Sequence, residues 1–334
     1  FFRAQLARIP AITPVNLANR TVIITGANAG IGLETALEIL KSQPKRVILA
    51  VRNIERGQAA ASELRKGSSE PTEVDVRQVD QASLVSVKSF VDGLAGQEVD
   101  IAILNAAPLT DLFPRSMKFK FSTTTDGYES DLQVNALAPA LLSFLLLSNL
   151  RRAAATRPSE DIKPHLCLVS NGLHEMAKFP ERKLPAGQVL AALNDSNKYN
   201  NQNRYPTTNL ISLLWTKELA KRAAGKGVVI NAPNPGFTKS GLLRDAQVVV
   251  KYLAKGVWAL LGRSPEDAAR CILDATIVKG EESHGCYMCV AKISHEYELA
   301  RGSEGEDLQA RMWEEIIGVL KQQSVLSEDL ISIE

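Results

Sequence analysis

Thr21 to Gly32 reads TVIITGANAGIG. Its first five residues are all β-branched, which suits a strand buried on both faces of a sheet. Gly26, Gly30 and Gly32 follow, and the next run, LETALEILK, has helical spacing. Strand, tight glycine turn and helix in that order aim free backbone N–H groups and a positive helix end at a phosphate. Outward from this stretch the same alternation repeats. RVILAVR (46–52), TEVDVRQV (72–79), VDIAILNAA (99–107), HLCLVS (165–170) and VVINA (228–232) read as strands. Between them, helical spacing covers 31–42, 54–66, 83–94, about 127–152 and about 205–224. Residues 171–202, scattered with Gly, Pro, Asn and Asp, read as a long connection. The pattern predicts an α/β fold, a doubly wound parallel sheet with helices on both faces. Ligands of such sheets bind beyond the carboxyl ends of the strands, so the loops after each strand are the place to seek chemistry.

Composition sets the remaining bounds. The chain has 334 residues, enough for a full core without staples. Hydrophobic content of 45% and charged content of 23% are those of an ordinary soluble globular protein. A net charge of +2 gives no reason to expect a nucleic-acid partner. Cys286 and Cys289 form a CYMC run, but no second Cys/His pair has ligand spacing. The run lies in HGCYMCV, which reads as a strand, so a structural role and no metal site is the expectation. The apolar runs 136–147 and 248–262 are too short and interrupted for a membrane span, and the opening residues carry no signal-peptide pattern. A cytoplasmic location follows as the default. Residues 1–20, with two prolines, read as an arm on the surface, and 21–334 as one domain.

The second strand ends at Val51-Arg52, about 20 residues past the last glycine, where an NAD site places a carboxylate for the ribose 2′-OH. Arg52 there favours a 2′-phosphate, against the plainer reading of a solvated surface arginine. Asp80, at the end of the third strand, suits either the adenine amino group or the N-cap of the next helix.

Taken in order, TGANAGIG, AVRN, Asp80 in VDQASL, LNAA, VNALAP, LVSN, Tyr205 and PNPGFTKS resemble the short-chain dehydrogenase/reductase superfamily. The similarity runs from about residue 20 to 320 and is greatest to the retinol-dehydrogenase-like branch and to fungal natural-product reductases. It implies a Rossmann-type fold, NADP(H) as cofactor, and a carbonyl or alcohol on a small organic molecule. It also assigns contacts. Gly26, Asn28, Gly30, Ile31 and Gly32 match the phosphate loop, Arg52 the 2′-phosphate contact and Asp80 the adenine contact. Asn105-Ala106 match the loop over the adenine ribose, Pro235-Gly236 the Pro-Gly turn, and Ser240 the hydroxyl near the nicotinamide carboxamide. Pro108 stands where the family has glycine, which fixes a dihedral and removes a donor.

The resemblance further implies a catalytic Asn, Ser, Tyr and a Lys four positions after the Tyr. Asn135 and Tyr205 match two of these. Asn209 stands at the lysine position. Ser170 falls one residue early, leaving Asn171 at the serine position. Without a neighbouring cation only about one tyrosine in a thousand is ionised at neutral pH, so alcohol oxidation lacks its base. Carbonyl reduction needs the phenol only as a proton donor. Asn209 can take part of the lysine's hold on the ribose, and the Asn171 amide can donate to a substrate oxygen. His174 and Glu175 are either further acid–base groups or an exposed loop pair. Lys239 is either a substitute cation or a surface lysine. Residues 241–265 correspond to a variable substrate lid, with Leu242, Tyr252, Leu253 and Trp258 as wall residues for an apolar substrate. That stripe is alternatively a homodimer contact or a face resting on a membrane surface. Three functions are open at this level: an NADPH-dependent reductase of a carbonyl or polarised double bond, a redox-neutral isomerase, dehydratase or cyclase, and a catalytically silent binding subunit.

Overall fold

A computed structural model describes residues 5, 7–67, 72–106, 121–157, 162–238 and 262–327. The glycine turn lies between strand β1 (Thr21–Thr25) and helix α1 (Gly30–Leu40). The chain continues through β2 (Arg46–Val51), α2 (Ile54–Gly67), β3 (Glu73–Gln78), α3 (Leu84–Asp92) and β4 (Ile101–Leu104). Helix α4 (Ser130–Thr156) leads into β5 (His165–Leu168), the short α5 (Val189–Leu193), α6 (Asn201–Arg222) and β6 (Val229–Asn234). Helix α7 (Pro265–Leu273), the hairpin of β7 (Tyr287–Cys289) and β8 (Lys292–Ile293), and α8 (Gly302–Gln322) complete it. The 8-stranded sheet has the order β3-β2-β1-β4-β5-β6-β7-β8. Every pairing is parallel until the β7–β8 hairpin. The α/β parallel sheet read from the alternation is therefore present, of the Rossmann type the resemblance implies, with β1 and β4 meeting where the strand order reverses.

Alternate residues of each strand feed two cores. Val22, Ile24, Leu49 and Ile103 pack with Ala36, Ile39 and Ile272 on one face. Ile23, Ile48, Ala102 and Leu166 pack with Leu141, Leu210 and Trp215 on the other. Each fully buried aliphatic side chain contributes about 1.5–3 kcal/mol. The arm is less superficial than its prolines suggest: Leu17 is fully buried in the first core, and Ile9 packs on Cys271 and Val290. Arg20 is buried as well, because Asp100 accepts from it at 2.9 Å while also accepting from Arg157 at 2.7 Å and from the Thr21 N–H at 2.8 Å. That knot fixes the amino ends of β1 and β4, opposite the edge where ligands bind.

Three more expectations are adjusted. The apolar run 136–147 belongs to a helix of 27 residues, long and apolar enough to cross a membrane by composition, but 83% of its apolar window is buried inside the protein. Within 171–202 the connection is built of short turns, including a 3₁₀ turn at Gly172–Met176 and α5. In HGCYMCV only Tyr287–Cys289 is strand, because Val290 and Ala291 take positive φ (57° and 54°) to turn the hairpin. The expected lid residues Leu242, Tyr252, Leu253 and Trp258, with Pro108, Lys239 and Ser240, lie outside the described residues.

Candidate active site

The glycines of the first turn are there for space and for backbone sign. Gly26 and Gly30 have φ of 68° and 58°, which side-chain-bearing residues rarely adopt. Gly32 is helical, but a Cβ on it would lie 2.5 Å from the Gly26 carbonyl oxygen and 2.7 Å from Asn105 Nδ2. Ala29 caps α1 in an extended conformation with no side-chain hydrogen bond. The first-turn N–H groups, including those of Gly30, Ile31 and Gly32, thus have no side-chain cap, and half-buried Asn28 stands beside them. A narrow glycine cradle before an uncapped helix end fits a phosphate-bearing nucleotide. Next door, the hydroxyl of buried Thr25 accepts from the N–H groups of both Asn105 and Ala106 at 2.9 Å. The Asn105 amide donates to the Thr25 carbonyl at 3.2 Å, so the ends of β1 and β4 are tied together.

Arg52, at the end of β2, is exposed and makes no ion pair among the described residues. Asp80 is not the N-cap of α3. Ser83 takes that place, accepting from the Ser86 N–H, while Asp80 closes a turn by accepting from the Ala82 N–H at 3.0 Å. The N-cap alternative for Asp80 falls because the helix begins three residues further on.

Across the cleft, α4 and α6 hold the catalytic candidates. Five residues of α4, Gln133–Leu137, form a π-helical turn. Asn135 lies in it, buried, and its amide donates to the Thr208 hydroxyl at 3.0 Å. Thr208 in turn donates to the Tyr205 carbonyl at 3.1 Å. Tyr205 is in the second turn of α6, since the helix starts at Asn201 under the Asn200 cap, earlier than its apolar spacing indicates. The phenol is half-buried, and the Asn171 amide donates to its hydroxyl at 3.4 Å. Burial raises the Tyr205 pKa above that of a free tyrosine; hydrogen bonds from Asn209 and Asn171 oppose this, and the Asp131 carboxylate adds to it. Asn209 donates to the Tyr205 backbone carbonyl at 2.8 Å, bonding back into its own helix.

Asn171 is held from both sides. Its side-chain oxygen accepts from the Leu173 N–H at 2.9 Å, and its carbonyl accepts from His174 Nδ1 at 2.8 Å. His174 is fully buried and packs edge-on against Tyr287, with ring centroids 4.9 Å apart. Its Nε2 accepts from the Tyr297 N–H at 3.4 Å, and burial lowers its pKa. The exposed-pair reading is therefore wrong for His174, although Glu175 is exposed. With both ring nitrogens on backbone partners, the imidazole is a neutral fastener of the loop. Ser170 has a buried hydroxyl with no hydrogen-bond partner among the described residues, and its N–H bonds to the Pro233 carbonyl.

Pro235 and Gly236 follow β6. Gly236 has a φ of 81°, and its N–H donates to the Asn234 side chain at 2.9 Å. Asn234 also donates to the Tyr287 hydroxyl at 2.8 Å. Thr25, Thr208, Asn234 and Tyr287 are thus supporting residues that motif reading passed over. A polar residue at the carboxyl end of a strand, as Thr25 and Asn234 are, was the available signal. A charged pair supports the same region: Arg204 reaches Glu129 at 3.4 Å with both side chains buried, and Glu129 caps the start of α4. Among the described residues no group of three or more His, Cys, Asp or Glu is placed to hold a metal.

The glycine turn where the strand order reverses, Asn135 on a π turn and Tyr205 facing the Asn171 amide make a candidate site of the Rossmann class. The comparisons with known proteins are specific: the chain belongs to the short-chain dehydrogenase family, whose family model, described as short chain dehydrogenase, matches residues 20–157. A short chain dehydrogenase of Arthrobotrys oligospora is 32% identical over 325 residues, covering 94% of this chain and 96% of its own. One from Alternaria solani is 38% identical over 259 residues, covering 76% of this chain and 86% of its own. Among solved structures, an uncharacterized protein from Mycobacterium Paratuberculosis shares the fold, with a TM-score of 0.66, 24% identity, and coverage of 92% of this chain and 96% of that one. Family membership brings with it a nicotinamide cofactor.

Proposed function

We propose that the chain is an NADPH-dependent reductase of a carbonyl or polarised double bond on an apolar small molecule, a natural-product intermediate. The observation that carries this reading is the half-buried Tyr205 phenol facing the Asn171 amide, with Asn209 one helical turn further on at the lysine position. Burial and the Asp131 carboxylate hold Tyr205 in its acid form, which serves proton donation and disfavours proton abstraction. The Asn171 amide, 3.4 Å from that hydroxyl, is a second donor toward the same oxygen of a substrate. Asn135 supports the helix turn of Tyr205 through Thr208. Gly26, Asn28, Gly30, Ile31 and Gly32 would seat the diphosphate, and Arg52, with no carboxylate in its place, would receive a 2′-phosphate. Asp80, Asn105 and Ala106 would border the adenosine, and Asn209, Pro235, Gly236 and Ser240 the nicotinamide half. A nicotinamide cofactor held by these residues would supply hydride chemistry at this site. Tyr205 gives the proton and Asn171 stabilises charge on the oxygen meanwhile.

The test uses NADPH deuterated at C4 and a panel of apolar ketones and enones. Reduction transfers deuterium to the product, read by mass spectrometry, and Tyr205→Phe lowers kcat/KM by about 10²–10⁴. A product of unchanged mass, or one lighter by water, with the cofactor intact would refute reduction in favour of redox-neutral chemistry on the same Tyr205–Asn171 pair.

A further inference from the structure

Gln5 is the one described residue of the first six, and it is buried although its neighbour Ala7 is exposed. Its side-chain amide lies along the backbone of Phe237. Gln5 Nε2 donates to the Phe237 carbonyl at 2.5 Å, and the Phe237 N–H donates to Gln5 Oε1 at 3.0 Å. This is the two-bond pattern of neighbouring strands, made here by one side chain. The turn it grips is narrow: a Cβ on Gly236 would lie 3.1 Å from Gln5 Oε1 and 3.0 Å from Arg263 Nε. Buried Arg263 donates to the Ala7 carbonyl at 3.2 Å, and its N–H bonds to the Phe237 carbonyl at 2.8 Å. Ile9 then anchors the arm among Cys271 and Val290. The arm therefore fastens the far side of the Pro235–Phe237 turn, whose near side is held by Asn234.

We infer that Gln5 is a positioning residue for the nicotinamide half of the cofactor site, acting through the backbone of Gly236 and Phe237. The inference rests on the proposed reading of Pro235-Gly236 as a cofactor turn. A turn already held in one conformation loses little freedom when a ligand docks on it, whereas a loosened turn must be ordered at the expense of affinity. The two hydrogen bonds are each of ordinary net strength, so their joint loss is felt as roughly a tenfold change.

The experiment compares the full chain with Gln5→Leu, which keeps an apolar stem but cannot bond to Phe237. Binding of NADPH and of adenosine 2′,5′-bisphosphate, which lacks the nicotinamide half, is measured by calorimetry, with thermal unfolding alongside. NADPH affinity is expected to fall about tenfold while the bisphosphate binds within about twofold of the parent. Equal losses for both ligands would make Gln5 a general stabiliser and overturn the inference, as would unchanged NADPH binding. If the parent protein binds the bisphosphate but gains nothing from the nicotinamide half, the turn assignment itself fails, and the inference falls with it. A KM for NADPH that rises while kcat holds is the matching kinetic signature.

Discussion

Asn209→Lys tests whether the missing cation sets the direction of the chemistry. Residue 209 lies one helical turn beyond Tyr205, close enough for the Asn209 amide to reach the Tyr205 carbonyl at 2.8 Å. A lysine outgrows that bond and carries its ammonium along the helix face toward the phenol. A cation about 5 Å from the phenolic oxygen contributes about 3 kcal/mol at an effective dielectric of about 20. The site is half-open to solvent, and screening takes part of this, so a rise in phenol acidity of about a hundredfold, or about 2.7 kcal/mol, is expected. The chain contains six tyrosines, so the assay is an ultraviolet tyrosinate titration of Asn209→Lys, with and without Tyr205→Phe, against the parent and its own Tyr205→Phe. The difference isolates Tyr205, and its titration should move to lower pH in the lysine variant. If it coincides with that of the parent, position 209 does not govern the phenol, and the argument linking the missing lysine to reduction is wrong.

Two further outcomes follow from the geometry. Gly32→Ala places a methyl 2.5 Å from the Gly26 carbonyl oxygen, so the phosphate turn has to move. Overpacking of this kind costs about 1–3 kcal/mol, which predicts NADPH binding weaker by about tenfold or more in calorimetry with the far-ultraviolet circular dichroism unchanged; undiminished affinity would contradict the cradle. Glu129 titrates at about 7, raised first by burial and then by Asp131, against the pull of two backbone N–H groups and Arg204. Its folded pKa exceeds the unfolded one, so its contribution to stability is full below about pH 4.5 and is lost as pH rises through about 7. Glu129→Gln removes that slope. Urea midpoints should therefore shift in favour of the variant between about pH 5 and pH 8, and a parallel pair of pH profiles would rule the assignment out.

The strands and the phosphate turn could be read from residues because their constraints are local. A β-branched run has few alternatives to a buried strand, and a positive φ at Gly26 and Gly30 almost demands glycine. Helix ends were less accessible, as the polar first turn of α6 shows: Asn200 caps it five residues before the helical spacing read from about 205. The π turn around Asn135 leaves no trace in composition, since one extra residue in QVNAL changes the register and not the residue types. His174 was misjudged because its burial depends on Tyr287 and Tyr297, which arrive more than a hundred residues later. For the same reason the Glu129–Arg204 pair and the grip of Gln5 on Phe237 could not be anticipated: pairing between distant polar residues is set by topology.

The π turn has a consequence for how this sequence can drift. It holds one residue more than a regular helix uses over the same rise. Losing one residue between Gln133 and Leu137 would close the bulge to a regular α-helical turn and leave the two flanks of α4 near their present register. Glu129 would then keep Arg204, while Asn135, inside the turn, would be re-aimed away from Thr208. A single-residue deletion in this stretch is thus absorbed by the helix, and its effect falls on the Asn135–Thr208 contact. The helix would gain regularity by it and lose the aim of Asn135.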